Sequence, residues 1–168
     1  MNWSATALSL DAEVNKPVET AWAYEVAIRD PNAELCLFLN LAAIYFSAND
    51  VGYAAAHHLD VRFVDSAYYR SREVLEEAES RFGKHPEITA WLFHLDDRVL
   101  GQDSTPGAYE ALSQQPNALL AQLLGGATAT YQGRRAALEE SLTESGIRCT
   151  ERGRYMASLL SAHSAGLR

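Results

Sequence analysis

Apolar and polar residues follow each other along this chain with the period of α-helices. The longest apolar run, Leu35 to Phe46, spans 12 residues and is interrupted only by Asn40. A helix needs about 20 apolar residues to cross a bilayer, so this run predicts a helix buried in a core. Further helices are predicted at residues 18–30, 53–59, 61–82, 87–100, 107–115, 117–124, 131–145 and 152–164. Because no long strand-like alternation appears, the expected fold is all-α, a compact helical bundle of about eight or nine helices.

Three prolines predict helix–turn–helix corners. Pro31, Pro86 and Pro116 each follow an alanine by eight residues and lie between two helical patterns. A proline inside a helix removes an amide donor and clashes with the preceding turn, so each of them should lie between helices. Gly83 is expected to end the helix before the second corner, as glycine often does at helix C-termini.

Around the first corner, two stretches resemble the tetratricopeptide-repeat family. They are residues 23–34, read as AYEVAIRDPNAE, and residues 40–45, read as NLAAIY. The resemblance implies antiparallel helix pairs and a groove that takes peptides or other proteins. The corner prolines are 55 and 30 residues apart, whereas the family uses a constant period of about 34. We therefore expect a compact bundle with one repeat-like corner, within a single domain over residues 1–168.

The resemblance also implies a binding surface. In that family the first helix of each pair lines the groove, and the corresponding residues here are apolar: Cys36, Leu39 and Ala43. Displacing them by the 55 residues between the first two corners gives a set with aromatic and cationic character: Trp91, His94 and Arg98. The predicted partner-binding residues are these three, bordered by Asp96 and Asp97. For Trp91 a place in the core is an equally weighted alternative, and Trp22 and Tyr45 are expected to be core residues.

The charge of the chain narrows the class of partner. Residues 1–130 contain 8 Lys/Arg and 18 Asp/Glu, a net charge of −10, whereas residues 131–168 contain 6 Arg and 4 Glu, a net charge of +2. An acidic body repels phosphate backbones, so direct binding of nucleic acid is not expected, and a basic protein partner is. The first residues lack the basic and apolar pattern of a secretory signal, so the expected localisation is cytoplasmic, with no membrane association.

The sequence contains no recognisable local motif for catalysis or metal binding. The two His-Leu-Asp triplets at residues 58–60 and 94–96 lack the spacings of helical metal sites, so no metal, cofactor or catalytic residue is predicted. Three glutamates on one helical face are expected to form solvent-exposed ion pairs: Glu73, Glu76 and Glu77. Cys36 should be buried, and Cys149 should be the more accessible thiol.

The sequence therefore favours a non-catalytic protein-binding module. Within this class, an inhibitor or immunity-type antitoxin that occludes a basic partner fits a small acidic helical protein. The alternative is an enzyme or small-ligand-binding domain with a pocket between its helices, because residues scattered over several helices leave no local signature. A third alternative is a subunit that forms a homodimer through its apolar helices.

Overall fold

A computed structural model describes residues 2–101, 107–115, 117–124, 136, 138–140, 142, 143 and 149–165. Within these residues there are nine α-helices with defined bounds, one π-helical segment and no strand, which confirms the predicted all-α fold. The chain divides into two compact units. Unit 1 is Met1–Gly83 with Cys149–Arg152, and unit 2 is Lys84–Arg148 with Gly153–Arg168. The single domain over residues 1–168 stays a prediction.

The helices follow the order of the chain. Those of residues 1–83 are α1 Trp3–Ala12, α2 Pro17–Ala27, α3 Leu35–Ala48, α4 Val51–Ala56 and α5 Val61–Phe82. Next come α6 Pro86–Leu95, the π-helical segment Asp96–Leu100, α7 Ala108–Ser113 and α8 Leu119–Leu124. The last helix, α9, is Glu151–Ala165, and its first two residues belong to unit 1. None of the described helices has the length and apolar character needed to span a membrane.

Local chemistry sets most helix ends in unit 1. The side chains of Asn2, Asp50 and Asp60 accept hydrogen bonds from the first-turn amides of α1, α4 and α5, as N-cap residues do. Pro17 begins α2, where its missing amide donor costs little. Helix α5 ends as predicted at Gly83, whose φ of 76° suits a residue without a Cβ.

The first two predicted corners are confirmed. Pro31 lies in the turn between α2 and α3, and Pro86 is the first residue of α6, which follows α5 after a short connection. Arg81 of α5 fixes the first corner by donating to the main-chain oxygens of Ile28 and Asp30, both at 3.0 Å. Pro116 lies outside the described residues, with α7 before it and α8 after it.

Helix α3 is the centre of unit 1. Every residue from Leu37 to Ala48 is buried, and the helix packs mainly against α5 and α2. At one close crossing, Ser71 of α5 donates a hydrogen bond to the main-chain oxygen of Ala42 over 3.0 Å. The predicted buried helix is thus confirmed. Cys36, at its start, is half-buried rather than buried, because it precedes the enclosed part of the helix, and Cys149 is exposed as predicted.

Candidate functional site

The predicted contact stripe on α6 does not form an exposed surface. Trp91 has no exposed area and His94 is 4% exposed, so both side chains belong to the core of unit 2. Arg98 is exposed, and Asp96 and Asp97 are half-buried. The face that carries Trp91 and His94 also carries the buried Ile88 and Leu95. This face is therefore part of the core of unit 2. For Trp91 the structure confirms the alternative of a place in the core, and for His94 the exposed position implied by the stripe is wrong. The role of the five residues in binding stays a prediction.

The type of helix changes directly after this face. Helix α6 ends at Leu95, and residues 96–100 form a π-helical turn. Arg98 lies in this turn and is exposed, and its charge acts on His94. Asp97 of this turn accepts a hydrogen bond from the Tyr109 hydroxyl of α7 at 2.7 Å.

A buried hydrogen-bonded cluster surrounds Trp91. Its indole nitrogen donates to the carboxylate of Glu87, one turn earlier, over 3.2 Å, and the other oxygen of Glu87 accepts the amide of Leu120 at 3.0 Å. The His94 ring is hydrogen-bonded to the hydroxyl of Tyr155 from α9, and both rings pack near the indole. Glu87 is buried and anchors two groups of the core, so the cluster joins three helices of unit 2.

The ionisation of this cluster follows from its burial. Burial, followed by the charge of Arg98, lowers the pKa of His94 to about 4, although Asp97 opposes this. Burial raises the pKa of Tyr155 to about 12. Both side chains are therefore neutral at pH 7. The neutral, buried His94 and the neutral, half-buried Tyr155 can hold each other in place through their hydrogen bond.

Among the described residues, no group of three or more His, Cys, Asp and Glu side chains is arranged to hold a metal ion. His57, which directly precedes the first His-Leu-Asp triplet, packs against the ring of Tyr53 with ring centroids 4.3 Å apart. This contact is local to α4 and the residue that follows it.

The predicted ion pairs of α5 are confirmed. Glu73, Glu76 and Glu77 pair with arginines of the same helix at N–O distances of 2.8, 2.9 and 3.7 Å. One of these arginines, Arg70, also reaches Glu25 of α2 through two nitrogens at 2.6 and 2.7 Å. Burial alone would raise the pKa of Glu25, but the hydrogen bonds from Arg70 and Tyr45 lower it. This polar network joins α2, α3 and α5 and is structural in character.

An exposed aromatic pair lies on the α1–α2 hairpin. Trp22 of α2 is 58% exposed and meets Trp3 of α1 edge to face, with ring centroids 5.1 Å apart. Val18, one turn before Trp22, is also exposed. We name these three residues the Trp22 surface. The core position expected for Trp22 is therefore wrong, whereas Tyr45 is buried as expected.

A sequence signal for the Trp22 surface does exist. Trp22 lies three residues after Glu19 and three before Glu25, positions that share its side of α2. Glu19 is exposed and Glu25 is half-buried, whereas the opposite side of the helix is buried. The buried side consists largely of small residues that let the neighbouring helices approach closely: Thr20, Ala21, Ala23 and Ala27. Tyr24 is also buried on this side, so the sequence signal for an exposed Trp22 is its position between two glutamates.

Unit 1 also contains a buried polar chain of hydrogen bonds. The Asn40 amide donates to the Tyr24 hydroxyl at 3.1 Å, and that hydroxyl donates to the carboxylate of Asp11 at 2.8 Å. The second oxygen of Asp11 accepts the main-chain amide of Glu151 at 2.7 Å. Burial, reinforced by the charge of Asp11, raises the pKa of Tyr24, which keeps its donor proton. This series of hydrogen bonds thus joins α1, α2 and α3 to residues 149–152.

Comparison of the chain with protein-family models, with curated proteins and with solved structures finds no significant match.

Proposed function

We propose that this protein is a non-catalytic protein-binding module that occludes a basic partner through the Trp22 surface. The observation that carries the proposal is the exposure of Trp22, because a large aromatic side chain left 58% in water by its own fold has apolar area to bury against another molecule. Tryptophan is among the residues that most often dominate the binding energy of protein interfaces. Trp3 packs edge to face against the indole, and a contact that restricts the side chain before binding reduces the entropy lost on binding.

The charge of unit 1 supports a basic partner. Unit 1 contains 7 Lys/Arg and 14 Asp/Glu, a formal charge of −7, whereas unit 2 contains 7 and 8, a charge of −1. Complementary charge speeds association and suppresses wrong partners. An inhibitor or immunity-type antitoxin would use this combination of an acidic body and an aromatic anchor. In that role the protein acts in the cytoplasm without a cofactor.

A comparison of two exposed aromatic residues tests the proposal. The tagged protein is used to capture partners from the native host at moderate salt, in three forms: wild type, Trp22→Ala and Tyr69→Ala. Tyr69 is the matched control, since it is 67% exposed on α5. We expect a basic protein that is retained by wild type and by Tyr69→Ala, and that Trp22→Ala binds at least ~30-fold more weakly, a loss of about 2 kcal/mol typical of an interface anchor.

Three other outcomes would contradict the proposal. Equal capture by wild type and Trp22→Ala would remove Trp22 from the interface. A retained small molecule in place of a protein would favour the ligand-binding alternative. Light scattering that shows a homodimer of the wild type, lost in Trp22→Ala, would assign the surface to self-association.

A further inference from the structure

Residues 149–152 form a short stretch of unit 1 whose neighbours on both sides in the chain belong to unit 2. Three of its four residues are buried although all three are polar: Thr150, Glu151 and Arg152. Since the stretch contains no large apolar side chain, hydrogen bonds and charge must provide much of what holds it in place.

Two side chains from the helices of unit 1 bind this stretch. Asp11 of α1 accepts the main-chain amide of Glu151 at 2.7 Å, and Ser47 of α3 donates its hydroxyl to the Glu151 carboxylate at 2.8 Å. Glu151 is the first residue of α9, so its amide has no acceptor within its own helix. The carboxylate of Asp11 also lies at the positive end of that helix, where a negative charge is stabilising.

The site on unit 1 that binds residues 149–152, which we call the seat, is held in place by hydrogen bonds that do not involve those residues. Asp11 is oriented by the hydroxyl of Tyr24, which is in turn held by Asn40. Tyr24 and Asn40 are enclosed in α2 and α3, the best-packed part of unit 1. Loss of residues 149–152 from the seat would therefore leave these two hydrogen bonds intact.

We propose that Asp11 and Ser47 form a polar latch and that residues 149–152 are a detachable segment. The segment leaves its seat by a local opening while α1–α5 stay folded. Local openings of this kind occur where few apolar contacts hold a segment, and they cost less free energy than global unfolding. The proposal is independent of the Trp22 surface and of the proposed partner.

Thiol labelling tests the latch at two buried positions. Both native cysteines are replaced by serine, and a single reporter is then introduced as Thr150→Cys in the segment or as Ser71→Cys in α5. Thr150 is 3% exposed and Ser71 is fully buried, so each reporter reacts only when its surroundings open. In the background with otherwise native residues the segment reporter should react at least ~tenfold faster than the α5 reporter, because a local opening costs less free energy than global unfolding. Asp11→Ala should accelerate the segment reporter further, since a hydrogen bond to a charged group is lost.

Two further variants keep the test decisive. Glu13→Gln changes an exposed carboxylate just after α1 and should alter neither rate. Ser47→Ala should accelerate the segment reporter by a smaller factor than Asp11→Ala. If Asp11→Ala does not fold, Ser47→Ala decides alone. Equal labelling rates of the two reporters before the latch is changed would show that the segment opens only with the whole unit, and no acceleration of the segment reporter by the latch variants would show that the latch residues do not hold it. Either result overturns the proposal.

Discussion

Trp22 and Trp91 are the same side chain in opposite environments. They lie on helices of similar length, 11 residues for α2 and 10 for α6, yet Trp22 is 58% exposed and Trp91 has no exposed area. Trp91 has a carboxylate acceptor for its indole N–H one turn earlier, at Glu87, so burial leaves no polar group unsatisfied. Trp22 lies on the side of α2 that carries Glu19 and Glu25, opposite the buried side of the helix.

This difference distinguishes a tryptophan that stabilises the core from one that can contact a partner. The sequence predicted a buried Trp22 and left Trp91 open between the core and a binding surface. The two positions differ in the side of the helix that each occupies and, for Trp91, in the hydrogen-bond acceptor that Glu87 supplies. Three measurements test the contrast, in descending order of their expected effect.

The largest effect is expected for Trp91→Ala. Removing a fully buried indole leaves a cavity, and such substitutions cost about 3–5 kcal/mol of unfolding free energy. Urea denaturation followed by circular dichroism measures the loss.

Glu87→Gln is the matched variant for the same contrast. Glutamine keeps one oxygen acceptor but cannot serve both the indole and the Leu120 amide, and one unsatisfied buried group costs about 1–3 kcal/mol. A stability of Glu87→Gln equal to that of wild type would show that the acceptor is not what permits burial of Trp91.

The second effect is a pH dependence that originates beside Trp91. The pKa of His94 is lowered from 6.5 in the unfolded chain to about 4 in the folded protein. Between these values the unfolded state binds the extra proton, so stability is complete above pH 6.5 and falls as the pH drops towards 4. The full loss from this group is about 3 kcal/mol.

The measurement is the unfolding free energy of wild type minus that of His94→Gln across pH 7 to 4. Subtraction removes the contribution of the carboxylates, which also titrate near the acid end. We expect the difference to shrink steadily as the pH falls. A difference independent of pH would mean that His94 is not enclosed in the folded protein.

The parts of the fold that local chemistry determines could be predicted from the sequence. Pro31 and Pro86 must lie at helix boundaries, Gly83 permits a backbone angle that ends α5, and the apolar run of α3 has to be buried. The candidate sites could not be predicted in the same way. Asp11 and Glu151 are 140 residues apart, and nothing local joins them. The burial of Trp91 and His94 depends on Tyr155, 61 residues after His94 in the chain, so no local pattern on α6 could indicate it.

The smallest effect on stability is expected for Trp22→Ala. More than half of its surface is exposed to water. It contacts Trp3 edge to face, and an aromatic pair of this kind is worth about 0.5–1.5 kcal/mol. We therefore expect a loss of about 1 kcal/mol or less in urea denaturation, with an unchanged helical signal. Trp3→Ala breaks the same pair from the other side and should cost a similar amount. A loss from Trp22→Ala as large as that from Trp91→Ala would mean that Trp22 is a core residue, and it would remove the structural basis for a binding surface on the α1–α2 hairpin.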